Sequence, residues 1–213
     1  MSIQIIAIGL VIVSLLLAGL AIKSLIKKNW FFQWLRGTSG FAILFTALLA
    51  GVFALDLFGY SHSSDGNVIA TLRFDALGHQ AFNVELTDDK GTRETYKLDG
   101  DQWQLDARLI SIKLLFKDDL QSYKLERLSG RYLSLEQERN KIRGVYSLVQ
   151  SGFVDTWPWL VEKKWIPFIE VKFGSATFMP MVHGAIYQVK LNESGLQAEP
   201  INEHARVAVE AWQ

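Results

Sequence analysis

No cysteine occurs in the 213 residues, which excludes a disulfide framework, a thiolate metal site and a cysteine nucleophile. The absence permits placement in any redox compartment without requiring one. Histidine is scarce, and His62, His79, His183 and His204 lie far apart with no His-x-x-x-His pair, so no zinc set can be read from spacing. A Gly-x-Ser-x-Gly elbow, a Walker loop and a Gly-x-Gly-x-x-Gly fingerprint are also missing. Asp99-Gly100-Asp101 and Asp118-Asp119 lack calcium-loop spacing and read as turns, and the hydroxyls of Gly174-Ser175-Ala176-Thr177 have no base nearby in sequence. With no reactive constellation on view, the expectation is a noncatalytic protein without metal or cofactor.

Charge is missing from two long stretches, Ser2 to Ile22 and Gly37 to Leu55. About 20 helical residues at roughly 1.5 Å rise match a hydrocarbon core of about 30 Å, so each stretch is long enough to cross a bilayer. Residues 1–60 therefore read as a two-helix transmembrane anchor. A cleavable signal peptide is the competing reading of the first stretch, but no basic n-region precedes it and its apolar run exceeds the usual length.

The segment 23–36 between the stretches carries Lys23, Lys27, Lys28 and Arg36 without an acidic residue, whereas the first 20 residues after the second stretch offer only Arg73. Basic residues beside spans stay on the cytoplasmic side. This predicts a cytoplasmic loop, with both termini and the bulk of the chain across the inner membrane in the periplasm. Trp30 and Trp34, with Phe31, Phe32 and Leu35, add rings among the cations, the composition of a segment at lipid headgroup depth. Lys23, Lys27, Lys28, Trp30, Trp34 and Arg36 are thus candidate membrane-interface residues, and a docking surface is the other reading.

Asp56 is the one ionisable residue near a span, and intramembrane carboxylates often mark proton pathways. It is the candidate proton-linked residue, although its place at the outer end of the second stretch suggests an interfacial group within reach of water.

A polar linker, 61–66, precedes a domain over 67–213. Setting aside Lys23, Lys27, Lys28, Arg36 and Asp56 leaves 18 basic against 21 acidic residues, a poor balance for binding a phosphate backbone, so no nucleic acid is expected. Period-two alternation dominates. Val68, Ala70, Leu72 and Phe74 share one face; Phe82, Val84 and Leu86 repeat the pattern; and Asp88 to Gly91 supplies a hairpin turn into Thr92 to Leu98. Trp103, Leu105, Ala107 and Leu109 alternate until Ile110, where the phase slips, which predicts a bulge near Leu109 and Ile110. Further strands are expected at 123–128, 145–149 and 169–173, with a last hairpin from 185–191 over Asn192 to Gly195 onto 196–201. The fold expected is a membrane-anchored α+β protein whose outer domain is a mainly antiparallel sandwich or partly open barrel.

Two peripheral helices complete it, one at about 155–164 and one at 203–212, while the charged stretch 136–143 reads as a solvated helix or loop. In the first helix Asp155 or Thr156 can cap and Pro158 fits the first turn. Trp157, Leu160, Val161 and Trp165 recur at helical spacing, with Phe168 beyond Pro167. A helix packed on the sheet is one reading; a surface resting on the membrane or a partner is the other.

Three segments carry a resemblance: Gly-Asp-Gln-Trp-Gln-Leu-Asp-Ala-Arg at 100–108, Tyr-Lys-Leu-Glu-Arg-Leu-Ser-Gly-Arg-Tyr at 123–132 and Phe-Gly-Ser-Ala-Thr-Phe-Met-Pro-Met at 173–181. With the two-span start, they resemble a family of small gammaproteobacterial membrane proteins of unknown function, often labelled cation/multidrug efflux pump or multidrug transporter. The resemblance implies a link to multidrug efflux, with no site residues attached. A solute pathway needs several helices or a closed barrel around a cavity, which two spans per chain do not enclose. The reading is therefore a membrane-anchored binding or assembly protein, with membrane lipid and a protein partner or a second copy as its contacts. An accessory or oligomeric component of an efflux system is the alternative, and an envelope enzyme a more distant one.

Overall fold

The computed structural model describes residues 3–25, 30–64, 66–112, 120–149, 155–162, 169–175, 178–192 and 195–212. The chain divides into two compact units, one of residues 1–62 and 151–166, the other of residues 63–150 and 167–213.

The first unit is built on α1 (Ile3–Leu25) and α2 (Trp30–Leu57), two helices long and apolar enough to cross a membrane. The second begins seven residues earlier than the uncharged stretch, because nothing from Trp30 to Arg36 breaks a helix. Small side chains meet where the two helices touch. Ala7 and Ala21 on α1 and Ala47 and Ala54 on α2 are buried, and Ser14 donates its hydroxyl to the carbonyl of Ala47 at 2.6 Å. These positions recur every seven residues on each helix, as does Gly40, the spacing of a left-handed two-helix seam. Large apolar side chains point away from it, with Leu15, Leu16, Phe41, Phe45, Leu48 and Leu55 exposed. Hydroxyls on α2 are satisfied within their own helix, Thr38 and Ser39 bonding to carbonyls one turn back and Thr46 to Ala42 at 2.9 Å.

A two-residue strand, β1 (Ser61–His62), ends the N-terminal part of this unit, and α4 (Trp157–Glu162) belongs to it as well. Sequence placed that helix on the β domain; it groups instead with the N-terminal helices.

The second unit holds two antiparallel sheets. One runs in the order β11 (Gly195–Pro200), β10 (Ile186–Asn192), β2 (Asn67–Gly78), β3 (Ala81–Asp88) and β4 (Arg93–Asp99). In the other, β5 (Gln102–Ile112) lies between β6 (Leu120–Arg131) and β8 (Ile169–Ser175); β7 (Val145–Ser147) extends along β6 and β9 (Met179–Pro180) along β5. One apolar core joins both sheets, with Phe74 and Tyr187 from the first against Trp103 from the second, ring centroids 5.4 to 5.8 Å apart. Such ring clusters add about 0.5–1.5 kcal/mol per pair beyond burial. The coarse expectation of a mainly antiparallel β domain with a few helices holds.

Local turn chemistry explains the hairpins. Asp88 accepts the amides of Lys90 and Thr92 through its carboxylate, Gly91 takes φ +80°, and β3 and β4 pair across the turn. β10 and β11 close at Asn192 and Gly195, where Gly195 has φ +126°. Asn202 caps α5 (Glu203–Glu210), its carbonyl oxygen accepting from Ala205 and Ile186 and its amide donating to Gly184, which fastens the helix to the start of β10. α3 (Leu135–Asn140) buries no residue, as its charge pattern suggested.

Two details depart from the alternation. Ile69, not Val68, is buried at the start of β2, because the register with β10 slips there and inserts Ile69 as an extra residue. The bulge expected at Leu109 and Ile110 lies instead on β6, where Glu126 is the extra residue opposite the Asp106–Ala107 step. β5 itself runs on regularly. Its phase change reflects cover on both faces, since Ile110 is buried on the side opposite Leu109.

Candidate functional site

In the first unit, the carboxylate of Asp56 on the last turn of α2 accepts both the backbone N–H of Thr156, at 3.0 Å, and its hydroxyl. Thr156 immediately precedes α4, and Asp155 accepts the amide of Trp157 at 3.1 Å. Asp56 thus acts as a tertiary cap, supplying negative charge where a helix start presents free N–H groups. Asp56 is 8% and Thr156 4% exposed, so the expected access of water to this carboxylate does not hold. Charge-assisted bonds replace hydration.

Around this cap, Trp157 and Leu160 are buried and Val161 is half-buried, whereas Trp165 and Phe168 lie outside the described residues. The aromatic stripe therefore faces inward where it can be followed. Trp159, absent from that stripe, points outward and meets Phe53 of α2 edge-on, with ring centroids 5.0 Å apart. The signal that could have singled it out is the pairing Trp-Pro-Trp, in which the two rings take opposite faces.

Of the basic and aromatic loop candidates, Lys23 is exposed on the last turn of α1, and Trp34 and Arg36 are exposed on the first turns of α2. Trp30 opens α2, while Lys27 and Lys28 lie outside the described residues. The described members fall near one end of the hairpin. Asp56 falls at the other.

Two polar clusters in the second unit were not visible in the sequence. On the face of β5 and β6 away from the core, Arg127 bonds Asp106 through two nitrogens at 2.6 and 2.7 Å, Gln104 donates to the other Asp106 oxygen, and Arg108 pairs with Glu126 at 3.1 Å. Asp106 and Arg108 are buried. Such a fork holds strand register more than it offers chemistry. At the β2–β3 turn Gln80 adopts φ +56°, donates to Asp101 and Gln137, and accepts from Lys141. Its carbonyl takes the amide of Gly100, locking two turns and α3 together. Both amide donors and the acceptor are occupied, so this left-handed residue is a clasp.

Burial raises the Tyr187 hydroxyl above its ordinary pKa, and burial with the nearby Asp99, Asp101 and Glu138 carboxylates does the same for Tyr132. Neither is poised to lose a proton near neutrality. Among the described residues no three His, Asp or Glu side chains gather as a metal group. His183 accepts the amide of Ala76 at 3.1 Å. A shallow cleft of about 20 Å³ bounded by Leu109, Gln121, Lys172 and Asn192 falls far below the range of about 300–1,000 Å³ usual for small-molecule sites. No protein-family model, curated protein or solved structure matches the chain.

Proposed function

We propose that this is a noncatalytic protein held in the inner membrane by the α1–α2 hairpin, with its β domain on the periplasmic side serving in binding or assembly. The observation that carries the reading is the inverted distribution of side-chain size in the hairpin: small residues fill the seam and large apolar ones face outward. In water such a surface is costly, whereas against lipid tails it is neutral and close helix packing is the gain. Lys23 and Arg36 near one end support a cytoplasmic position for the connection. In the β domain the side chain of Gln80 has both amide donors and its acceptor occupied, which favours a structural role for that cluster.

Crosslinking in intact membranes, followed by identification of captured proteins, tests the assembly role. Recovery of a defined envelope partner or of a second copy is expected. Recovery of a pump or adaptor would turn the reading to an efflux accessory, as the sequence resemblance suggests, and recovery of lipid alone would remove the assembly role. Orientation is read separately by a reporter active only in the cytosol, fused after Gln213. It should stay silent.

A further inference from the structure

We propose that α4 is a membrane-interface element, seated at the lipid headgroup boundary beside the outer end of α2, with Trp159 as its lipid-facing ring and Asp56 as the group that holds it there. The proposal rests on the membrane reading of the hairpin.

Level along the helix is the first argument. At about 1.5 Å per residue, the roughly 30 Å of a hydrocarbon core takes about 20 residues, which carries α2 from Trp34 to the neighbourhood of Ala54. With Trp34 at one boundary, Phe53 and Asp56 stand at the other. Trp159 rests against Phe53, so it shares that level. Aromatic rings at both boundaries are the pattern of a spanning helix, and here the ring at the far boundary comes from a segment about 100 residues away in sequence.

The faces of α4 supply the second argument. Trp157 and Leu160 are buried, whereas Pro158 and Trp159 are exposed between Asp155 and Glu162. Trp159 keeps 40% of its surface open against Phe53, one turn beyond Leu49, which is 43% exposed on the same flank of α2. An exposed apolar pair continuous with a lipid-facing flank fits the interface itself, where a ring has one side apolar and one side wet. Six residues are too few to hold a helix unaided, which gives the Asp56 cap its role.

Because the chain has no cysteine, one introduced thiol gives a unique spin-label site in the full-length protein. The label is placed at Pro158→Cys, leaving Trp159 in position, with references at Leu48→Cys on the outward flank of α2 and Ile142→Cys, which is fully solvated on the β domain. After reconstitution in phosphatidylcholine vesicles, collision with oxygen and with a water-soluble nickel chelate is compared. Position 158 should collide severalfold less with nickel than position 142, keep oxygen access, and lie shallower than position 48. Adding Asp56→Ala or Trp159→Ala should return it to the level of position 142. A solvated label at 158 with a deep label at 48 overturns the inference while leaving the anchor intact; solvated labels at both overturn the anchor reading as well. Shielding of 158 from both reagents would mean a protein covers α4, and an unchanged depth in Asp56→Ala would remove the role given to that carboxylate.

Discussion

The hydroxyl of Ser14 on α1 and the carbonyl of Ala47 on α2 are 2.6 Å apart, a bond that can form only where two helix backbones run close. Gly51 lies beside it, and a methyl group there would meet the Ser14 oxygen at 3.6 Å, an ordinary van der Waals contact.

Enlarging this seam should cost more than removing its bond. Ala47→Leu should destabilise the hairpin by about 1–3 kcal/mol through overpacking. Ser14→Ala should cost about 0.6 kcal/mol, the mean for such bonds between apolar helices. Unfolding of the full-length variants in mixed micelles, titrated with denaturing detergent, gives the comparison, and the reverse order would contradict the seam.

Gly130 and Gly174 each lie against a residue of the facing sheet, Asp99 and Leu196. A Cβ on Gly130 would collide with the carbonyl oxygen of Asp99, a backbone atom with little room to retreat. On Gly174 it would meet side-chain atoms of Leu109 at 2.8 Å and Leu196 at 3.2 Å, which can rotate. Urea unfolding monitored by near-ultraviolet circular dichroism should therefore show a larger loss for Gly130→Ala than for Gly174→Ala, which should cost about 1–3 kcal/mol.

Asp106 and Arg127 should be energetically coupled. Arg127→Met leaves a buried carboxylate with Gln104 as a remaining partner, and a loss of about 1–3 kcal/mol is expected for a hydrogen bond to a charged group. Adding Asp106→Asn should recover part of that loss. A double-mutant cycle with zero coupling would show the fork to be idle.

Alkaline pH should weaken the β domain. Burial raises the Tyr187 pKa in the folded chain, so above the ordinary tyrosine value of about 10 the unfolded chain sheds this proton more readily than the folded one. The stabilisation is whole below that pH and drains away as pH rises toward the folded value. Tyr187→Phe forfeits the bond from its hydroxyl to the Pro180 carbonyl, 2.9 Å long, worth about 1 kcal/mol. It should also flatten the alkaline decline in a series of urea midpoints; an unchanged slope would point to another group.

Elements set by local pattern were readable in advance. Phe82, Val84 and Leu86 alternate beside a turn whose Asp88 and Gly91 dictate its geometry, and Asn202 lies beside the helix it caps. Features set by distant contacts were not. Ile110 suggested a slipped strand because nothing in its neighbours reveals that β5 is covered on both sides, while the true extra residue, Glu126, belongs to the partner strand. Asp56 looked hydrated for the same reason. Its donor, Thr156, lies 100 residues further along, and only the folded chain brings the two together. Trp157 and Leu160 were correctly paired on one helix face, but whether that face was inward or outward was not a property of their spacing.

The same separation has a consequence for biosynthesis. When the α1–α2 hairpin leaves the ribosome, Thr156 has not yet been translated, so its bonds to Asp56 form only later. Completion of the first unit is thereby deferred until most of the β strands have emerged. A chain cut between Asp56 and Thr156 would keep both long helices and lack the whole of α4, together with its link to the end of α2.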